Sequence, residues 1–298
     1  MQGRHLPKWR IHSGGNPMKL TIYLAYDGSI NADWVARYAV NMAANGRDLQ
    51  IILIHILDDI YSPDRIAKKI EAIEAESAVR GIRMTSRILP LRKNVFYSLL
   101  QAIPAGGESL CVCGARIFSR NKGFLAGTIS EKLLRHKQFN VMAIRVVKPG
   151  ILGSPSDLLF PLSGHPRGFQ AAMSFFMLLA PEVERLYLLR IMLVSSLWFQ
   201  YMPATIVQSL KTKGYSYVNG VLKEIRQQLG ENKIYLDAKV VLSDDWAKEI
   251  LIHASKSRAQ MILMGASDRN LPSRYFYGNK IEQILRRSPC DVGIYRKI

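Results

Sequence analysis

Three features of the sequence predict an α/β fold built from two consecutive doubly wound parallel-sheet units. The 298 residues exceed one typical domain of roughly 100–200 residues and suit two. Apolar runs of strand length alternate with segments of helical period, the pattern of parallel strands joined by right-handed crossovers. The landmarks of the first half also recur after about 140–150 residues, the mark of an internal repeat.

In the first half, Leu20 to Tyr26 reads as a strand that ends in the turn Asp27-Gly28-Ser29. Ile30 to Asn45 places Trp34, Val35, Tyr38, Ala39 and Met42 at helical spacing and stops at Asn45-Gly46, a usual helix end. Ile51 to Leu57, apolar except for His55, reads as a strand covered on both faces. Ser62-Pro63-Asp64 opens a helix running to Arg80, with Pro63 at its favoured first position. Met84 to Leu91 then predicts a strand, Val95 to Ile103 a helix, and Leu110 to Gly114 a strand. Glu131 to His136 predicts a short helix, and Val141 to Val147 the last strand.

Gly150 to Pro155, rich in Gly, Ser and Pro, reads as a linker between units at residues 18–149 and 156–298. The second unit repeats the pattern. Leu158 to Leu162 is a strand followed by Ser163-Gly164, Arg167 to Leu179 a helix, Arg185 to Val194 a strand and Ala204 to Leu229 a longer helix. Ala238 to Leu242, Trp246 to Ser255, Met261 to Gly265, Glu282 to Arg287 and Asp291 to Arg296 continue the alternation. The two last strands are expected to pair, so that the halves form an internal pseudo-dimer; a homodimer of whole chains is a further option.

Composition narrows the class. With 48% hydrophobic and 21% charged residues, and no long polar or single-charge run, the chain has the make-up of a folded globular protein. Cys111, Cys113 and Cys290 form no disulfide framework and fit a reducing cytoplasm. Cys111 and Cys113 share a strand face and read as small core residues, since the other ligands of a metal site are missing. No apolar stretch reaches the ~20 residues of a membrane span. Residues 1–17 lack the apolar region of a signal peptide and read as a loose leader, with Met18 as an alternative start. The expectation is a cytoplasmic protein with no transmembrane segment. A net charge of +18 favours anionic partners, but the cations are scattered, without the basic helix or Arg-rich tract of a dedicated nucleic-acid binder.

Open sheets of this kind bind ligands beyond the carboxyl ends of their strands, where strand order reverses. At those ends the first half has Tyr26-Asp27-Gly28-Ser29 and, later, Gly114, two residues, Ile117, nine residues, Gly127-Thr128. The second half has Leu158-Leu159-Phe160-Pro161-Leu162-Ser163-Gly164, then Gly265, two residues, Asp268, nine residues, Gly278-Asn279. With Leu53-Ile54-His55-Ile56, these segments resemble the universal stress protein family. That family opens on a strand ending in Asp-Gly-Ser, and its nucleotide-binding members carry Gly, two residues, Gly, nine residues, then Gly before Ser, Thr or Asn. The resemblance covers nearly all of residues 18–298 and implies a tandem member with Rossmann-like, adenine nucleotide alpha hydrolase-like domains. The middle glycine is replaced in both halves, by Ile117 and by Asp268.

The resemblance implies that ATP or another adenine nucleotide, with Mg as an accompanying ion, is held by Asp27, Ile56, Gly114, Arg116, Gly127, Thr128 and Ile129. The residues themselves support this. Gly127-Thr128 at a helix start offers free N–H groups to a phosphate, Gly114 permits close backbone approach, and Arg116, Arg120 and Lys122 supply positive charge. Asp27 suits ribose, adenine or a divalent ion. Plainer roles are a helix cap for Asp27 or Thr128, a strand end for Gly114 and a solvated loop for the cations. In the second half, Ser163 replaces the acid and Asp268 sets a negative charge where phosphates approach, so that site is expected to be degenerate. His55 reads as a buried hydrogen-bonded residue, and the tryptophans follow core periods. With no nucleophile motif or metal cluster, no catalytic residue is assigned. The leading function is a nucleotide-responsive stress or regulatory protein. The alternatives are a nucleotide-free scaffold or regulator of a protein partner, and an adenine-nucleotide hydrolase, for which no residue positions the attacking water.

Overall fold

A computed structural model describes residues 20–46, 48–58, 60–115, 128–164, 168–195, 201–230, 234–266 and 274–298. The first half runs β1 (Thr21–Ala25), α1 (Ile30–Asn45), β2 (Gln50–Leu57), α2 (Pro63–Val79), β3 (Arg83–Pro90), α3 (Val95–Ala102), β4 (Gly106–Gly114), α4 (Ile129–Arg135) and β5 (Phe139–Arg145). The second runs β6 (Asp157–Leu162), α5 (Gly168–Leu179), β7 (Arg185–Leu193), α6 (Ala204–Leu229), β8 (Tyr235–Ser243), α7 (Trp246–Lys256), β9 (Met261–Gly265), α8 (Arg274–Arg287) and β10 (Asp291–Arg296).

The strands form one ten-stranded sheet in the order β3-β2-β1-β4-β5-β10-β9-β6-β7-β8. Each half therefore has the order 3-2-1-4-5, with its reversal between the first and fourth strands. Every pairing is parallel except β5 with β10, which run antiparallel from Val292 opposite Arg145 to Arg296 opposite Val141. The expected apposition of the two last strands is thus continuous backbone pairing, and it removes two exposed edges. The strands at the seam are buried along their length, as required of a sheet covered on both faces.

Both faces have cores that run across the halves. Alternating residues send Leu24, Leu53 and Val112 to one face, with Phe160 and Leu188 beside them, and Tyr23, Ile54 and Cys113 to the other, with Leu159 and Ile262. Cys111 and Cys113 are buried on that second face, in the small core role read from the sequence. Helices α1 and α5, equivalent in the two halves, meet on the first face, where Asn45 Nδ2 donates to Leu178 O at 3.0 Å. The linker is folded onto α1. Gly153 has φ +77°, and a Cβ there would lie 2.7 Å from the Tyr38 amide nitrogen, so glycine is required on both counts. Asn41 Nδ2 donates to Leu152 O and Ser154 Oγ at 3.0 and 2.9 Å.

Local signals explain most of the element ends. Ser29, not Asp27, caps α1, its Oγ accepting from Ala32 N at 3.1 Å. Gly46 ends α1 in an extended rather than left-handed conformation (φ −99°). Ser62 holds the cap position of α2 without a side-chain bond, since Pro63 and Asp64 already favour the helix start. Helix α8 begins at Arg274, well before the expected Glu282, so Gly278-Asn279 falls inside a helix instead of opening one.

Candidate functional site

At the carboxyl ends of β1, β2 and β4, the reversal of strand order leaves a cavity of about 130 Å³. Its lining comes from five segments that are far apart in sequence. Strand β1 and the turn after it supply Ala25, Tyr26 and Asp27; β2 supplies Ile54 and Ile56, with Asp58 beyond its end. Strand β4 supplies Cys113 and Gly114, α1 adds Asn31, α3 adds Val95 and Leu99, and the start of α4 brings Thr128, Ile129 and Ser130. The structure thus brings together Asp27, Ile56, Gly114, Thr128 and Ile129. Arg116 and Gly127 lie outside the described residues, as do Ile117, Arg120, Lys122 and, in the second half, Asp268 and Arg269.

The turn at the cavity mouth is held from several sides. Asp27 Oδ1 accepts the Ser29 N–H at 2.9 Å, and Gly28 adopts φ +73° with its α-carbon against Ile66 and Tyr61. Lys69 of α2 donates to Gly28 O at 2.9 Å and to Asp33 Oδ2 at 2.6 Å. Asp33 Oδ1 in turn accepts the Tyr26 hydroxyl at 2.5 Å. Burial, followed by the bond to Asp33, pushes the Tyr26 phenol well above its usual range, so it stays a neutral donor. Behind the turn, buried His55 has Nδ1 2.9 Å from Tyr26 O; a carbonyl only accepts, so Nδ1 carries the proton. That is the buried, bonded role expected of His55.

The polar groups of the wall are distributed unevenly. Thr128 Oγ1 accepts from Glu131 N at 3.2 Å and lies 3.0 Å from Ser130 Oγ, so its plainer capping role is realised. Gly114 lies so close to α1 that a Cβ would come 2.7 Å from Asn31 Nδ2. Ile56, Val95, Leu99 and Ile129 make an apolar wall, while Asp27, Asn31 and Asp58 place oxygen and amide groups on the same cavity. Among the described residues, no cluster of three His, Cys, Asp or Glu side chains has the arrangement of a metal site. Asn31, Asp58, Val95, Leu99, Cys113 and Ser130 carry no sequence motif; only the strand order assembles them.

The second half departs at equivalent positions. By strand register Arg190 stands where the first half has His55, and its Nη1 donates to Leu162 O at 3.1 Å, as His55 does to Tyr26 O. The guanidinium lies over Gly164, where a Cβ would come 2.2 Å from it. After the fourth-helix equivalent begins, Lys280 pairs with Asp245 at 2.5 Å, and Trp246 opens α7 where Val95 opens α3. Larger and charged side chains therefore stand where the first half leaves space.

This fold and site define a duplicated doubly wound α/β protein with a cavity at the switch point of its first half. The model of the universal stress protein family matches residues 18–145 and 203–296, and the chain belongs to that family. A universal stress protein from Archaeoglobus fulgidus superposes with TM-score 0.60 at 17% identity, covering 94% of this chain and 97% of its own. A functionally unknown protein from Pseudomonas aeruginosa gives 0.58 at 14% identity, with 94% of each chain covered. The cytoplasmic domain of a prokaryotic cation chloride cotransporter gives 0.57 at 8% identity over 94% of this chain and 96% of its own. No curated protein sequence matches the chain. No described helix is long and apolar enough to cross a membrane.

Proposed function

We propose that the chain is an adenine-nucleotide-binding stress-response or regulatory protein with one nucleotide site, in a first domain of residues 18–149. The observation that carries this reading is the cavity that gathers Asp27, Ile56, Gly114, Thr128 and Ile129 at the switch point, where open α/β sheets bind their ligands. The apolar wall of Ile56, Val95, Leu99 and Ile129 takes the base. Asp27 and Asn31 bond its sugar or polar edge, and Asp27 with Asp58 favours a nucleotide carrying Mg. Arg116 and the segment ending in Gly127-Thr128 meet the phosphates. The domain of residues 156–298, with Arg190, Trp246 and Lys280 at equivalent positions, binds none and supports the first.

Titration of ATP by calorimetry, with and without Mg, tests this. One site per chain is expected, abolished by Gly127→Val and unaffected by Gly278→Val in folded variants. A stoichiometry of two, or loss only with Gly278→Val, overturns the assignment. The capping bond that Thr128 Oγ1 accepts ties its side chain to the helix start, and together with Ile117 in place of the middle glycine it favours a second reading, a nucleotide-free scaffold for a protein partner. Absence of ATP binding and of any co-purified nucleotide by mass spectrometry decides for it.

A further inference from the structure

On the opposite rim of the sheet, at the amino ends of β7 and β8, lies a separate cavity of about 420 Å³. Its floor is apolar, with Leu159 and Leu189 under a half-buried Tyr187, and its wall is His253 near the end of α7. Helix α7 packs over β6 and β7 on this face, while the long helix α6 covers β8 from the other. Strand alternation then turns Lys239 outward beside α7, with Val241 on the same face reaching the core. The exposed cations Lys239, Lys256 and Arg258 stand around this floor.

We infer that this cavity binds a small organic phosphate, its apolar or aromatic body lying on Tyr187 and its phosphate held by Lys239, Lys256 and Arg258. Three observations carry the inference. First, the cations lack counter-ions: neither Lys239, Lys256 nor Arg258 makes an ion pair with a carboxylate among the described residues, whereas neighbouring Arg185 is bonded to Asp157 at 3.1 Å. The one carboxylate on the lining, Asp237, makes no ion pair with them among the described residues, so the three like charges outweigh it and repel one another, and a dianion relieves that repulsion. Second, the positive field is felt by a neighbour. The His253 imidazole is held below its usual range first by burial and then by Lys239 and Lys256, with Glu249 opposing. Third, the aromatic floor is specific to one half. By strand register the first half has Ile52 where the second has Tyr187, so the aromatic floor is not repeated, although Arg87 stands where Lys239 does. A concave apolar floor with a few convergent cations is the form of a small-ligand site, not the extended basic stripe of a nucleic-acid binder.

The probe is naphthyl phosphate, titrated into the full chain and followed by backbone amide shifts, with naphthol and inorganic phosphate in parallel. Saturable binding of one naphthyl phosphate per chain is expected, with shifts at Tyr187 and Ser257, and weaker binding of either half-molecule. Lys239→Gln and Lys256→Gln, both at exposed positions, should each weaken binding about tenfold, the effect of losing one charge-assisted bond, while Asp27→Ala leaves it unchanged. On the wild type, saturation should raise the His253 titration midpoint. Failure to saturate at millimolar probe, equal binding of naphthol, affinity indifferent to both lysine variants, or loss with Asp27→Ala would each overturn the inference.

Discussion

Tyr38, in the first helix of one half, donates its hydroxyl hydrogen across 2.6 Å to Asp291, the first residue of the last strand of the other. Both are essentially inaccessible to solvent. The other oxygen of Asp291 accepts the Val147 and Lys148 N–H groups at 2.7 Å each, so one buried carboxylate ties α1, the end of β5 and β10 together. Removing the hydroxyl in Tyr38→Phe should cost about 1.5–3 kcal/mol, the contribution of a hydrogen bond to a charged group, measured by urea denaturation.

The same carboxylate predicts a pH effect. Burial raises the Asp291 pKa, against the opposing bonds from Tyr38 and the two N–H groups. A carboxyl whose folded value exceeds its unfolded value of about 3.9 gives stability that is complete below the unfolded value and lost as pH rises through the folded one. The stability difference between wild type and Asp291→Asn should therefore shift against the wild type as pH rises from about 4. A difference that is flat with pH would show that the group titrates alike in both states.

His253 gives the opposite sign. Its folded value is lowered by burial and then by Lys239 and Lys256, so the stability it allows is present above the unfolded value of about 6.5 and lost as pH falls through the folded one. His253→Gln should flatten that part of the acid limb of thermal unfolding. An acid limb identical in the two proteins would remove His253 from the account.

Two glycines separate backbone strain from steric crowding. Gly28 and Gly81 have φ +73° and +69°, but a Cβ at Gly28 would meet Ile66 Cδ1 at 2.3 Å while one at Gly81 meets nothing within 4 Å. Gly81→Ala should cost about 1 kcal/mol, from the left-handed conformation alone. Gly28→Ala should cost more, about 2 kcal/mol, with displacement of Ile66 added. Equal costs by denaturation would show that Ile66 yields freely.

For the nucleotide site, Asp27→Ala should weaken ATP binding by about 1–3 kcal/mol, the cost of one polar partner. Ile56→Trp should block the cavity from its apolar wall, and Ser163→Ala should change nothing. Calorimetry on folded variants checks all three. Sensitivity to Ser163 in place of Asp27 would move the site to the other half.

Where periodicity and end signals agree, the sequence was legible residue by residue: α1, α6 and β10 have the bounds that their patterns predict. Strand β8 was seen only as its apolar centre, Ala238 to Leu242, although it spans Tyr235–Ser243. Charged Asp237 and Lys239 alternate along an outer strand, where one side chain in two needs no core. The cap at Ser29 was missed for a local reason, since Asp and Ser near a helix start compete for the same role. The site divides in the same way. Asp27, Gly114 and Thr128 sit at strand and helix ends that a motif can mark, whereas Asn31, Val95 and Leu99 line the cavity only because β1 lies between β2 and β4. In the sequence, the expectation of a degenerate site in the second half rests on Ser163 and Asp268. The structure adds Arg190 and Trp246, whose positions follow from register rather than from any short pattern.

The antiparallel pairing of β5 with β10 has a consequence for mass action. Two separate chains meeting along the same strands would part on dilution, but here a short tether holds the partner at an effective concentration on the order of millimolar. The melting temperature of this seam should not depend on protein concentration. Nor must the two sides remain copies: in a symmetric assembly each substitution is imposed on both partners, whereas within one chain it falls on a single side. One rim of the sheet can then lose a ligand, or gain a different one, while its tethered neighbour keeps the shared seam intact.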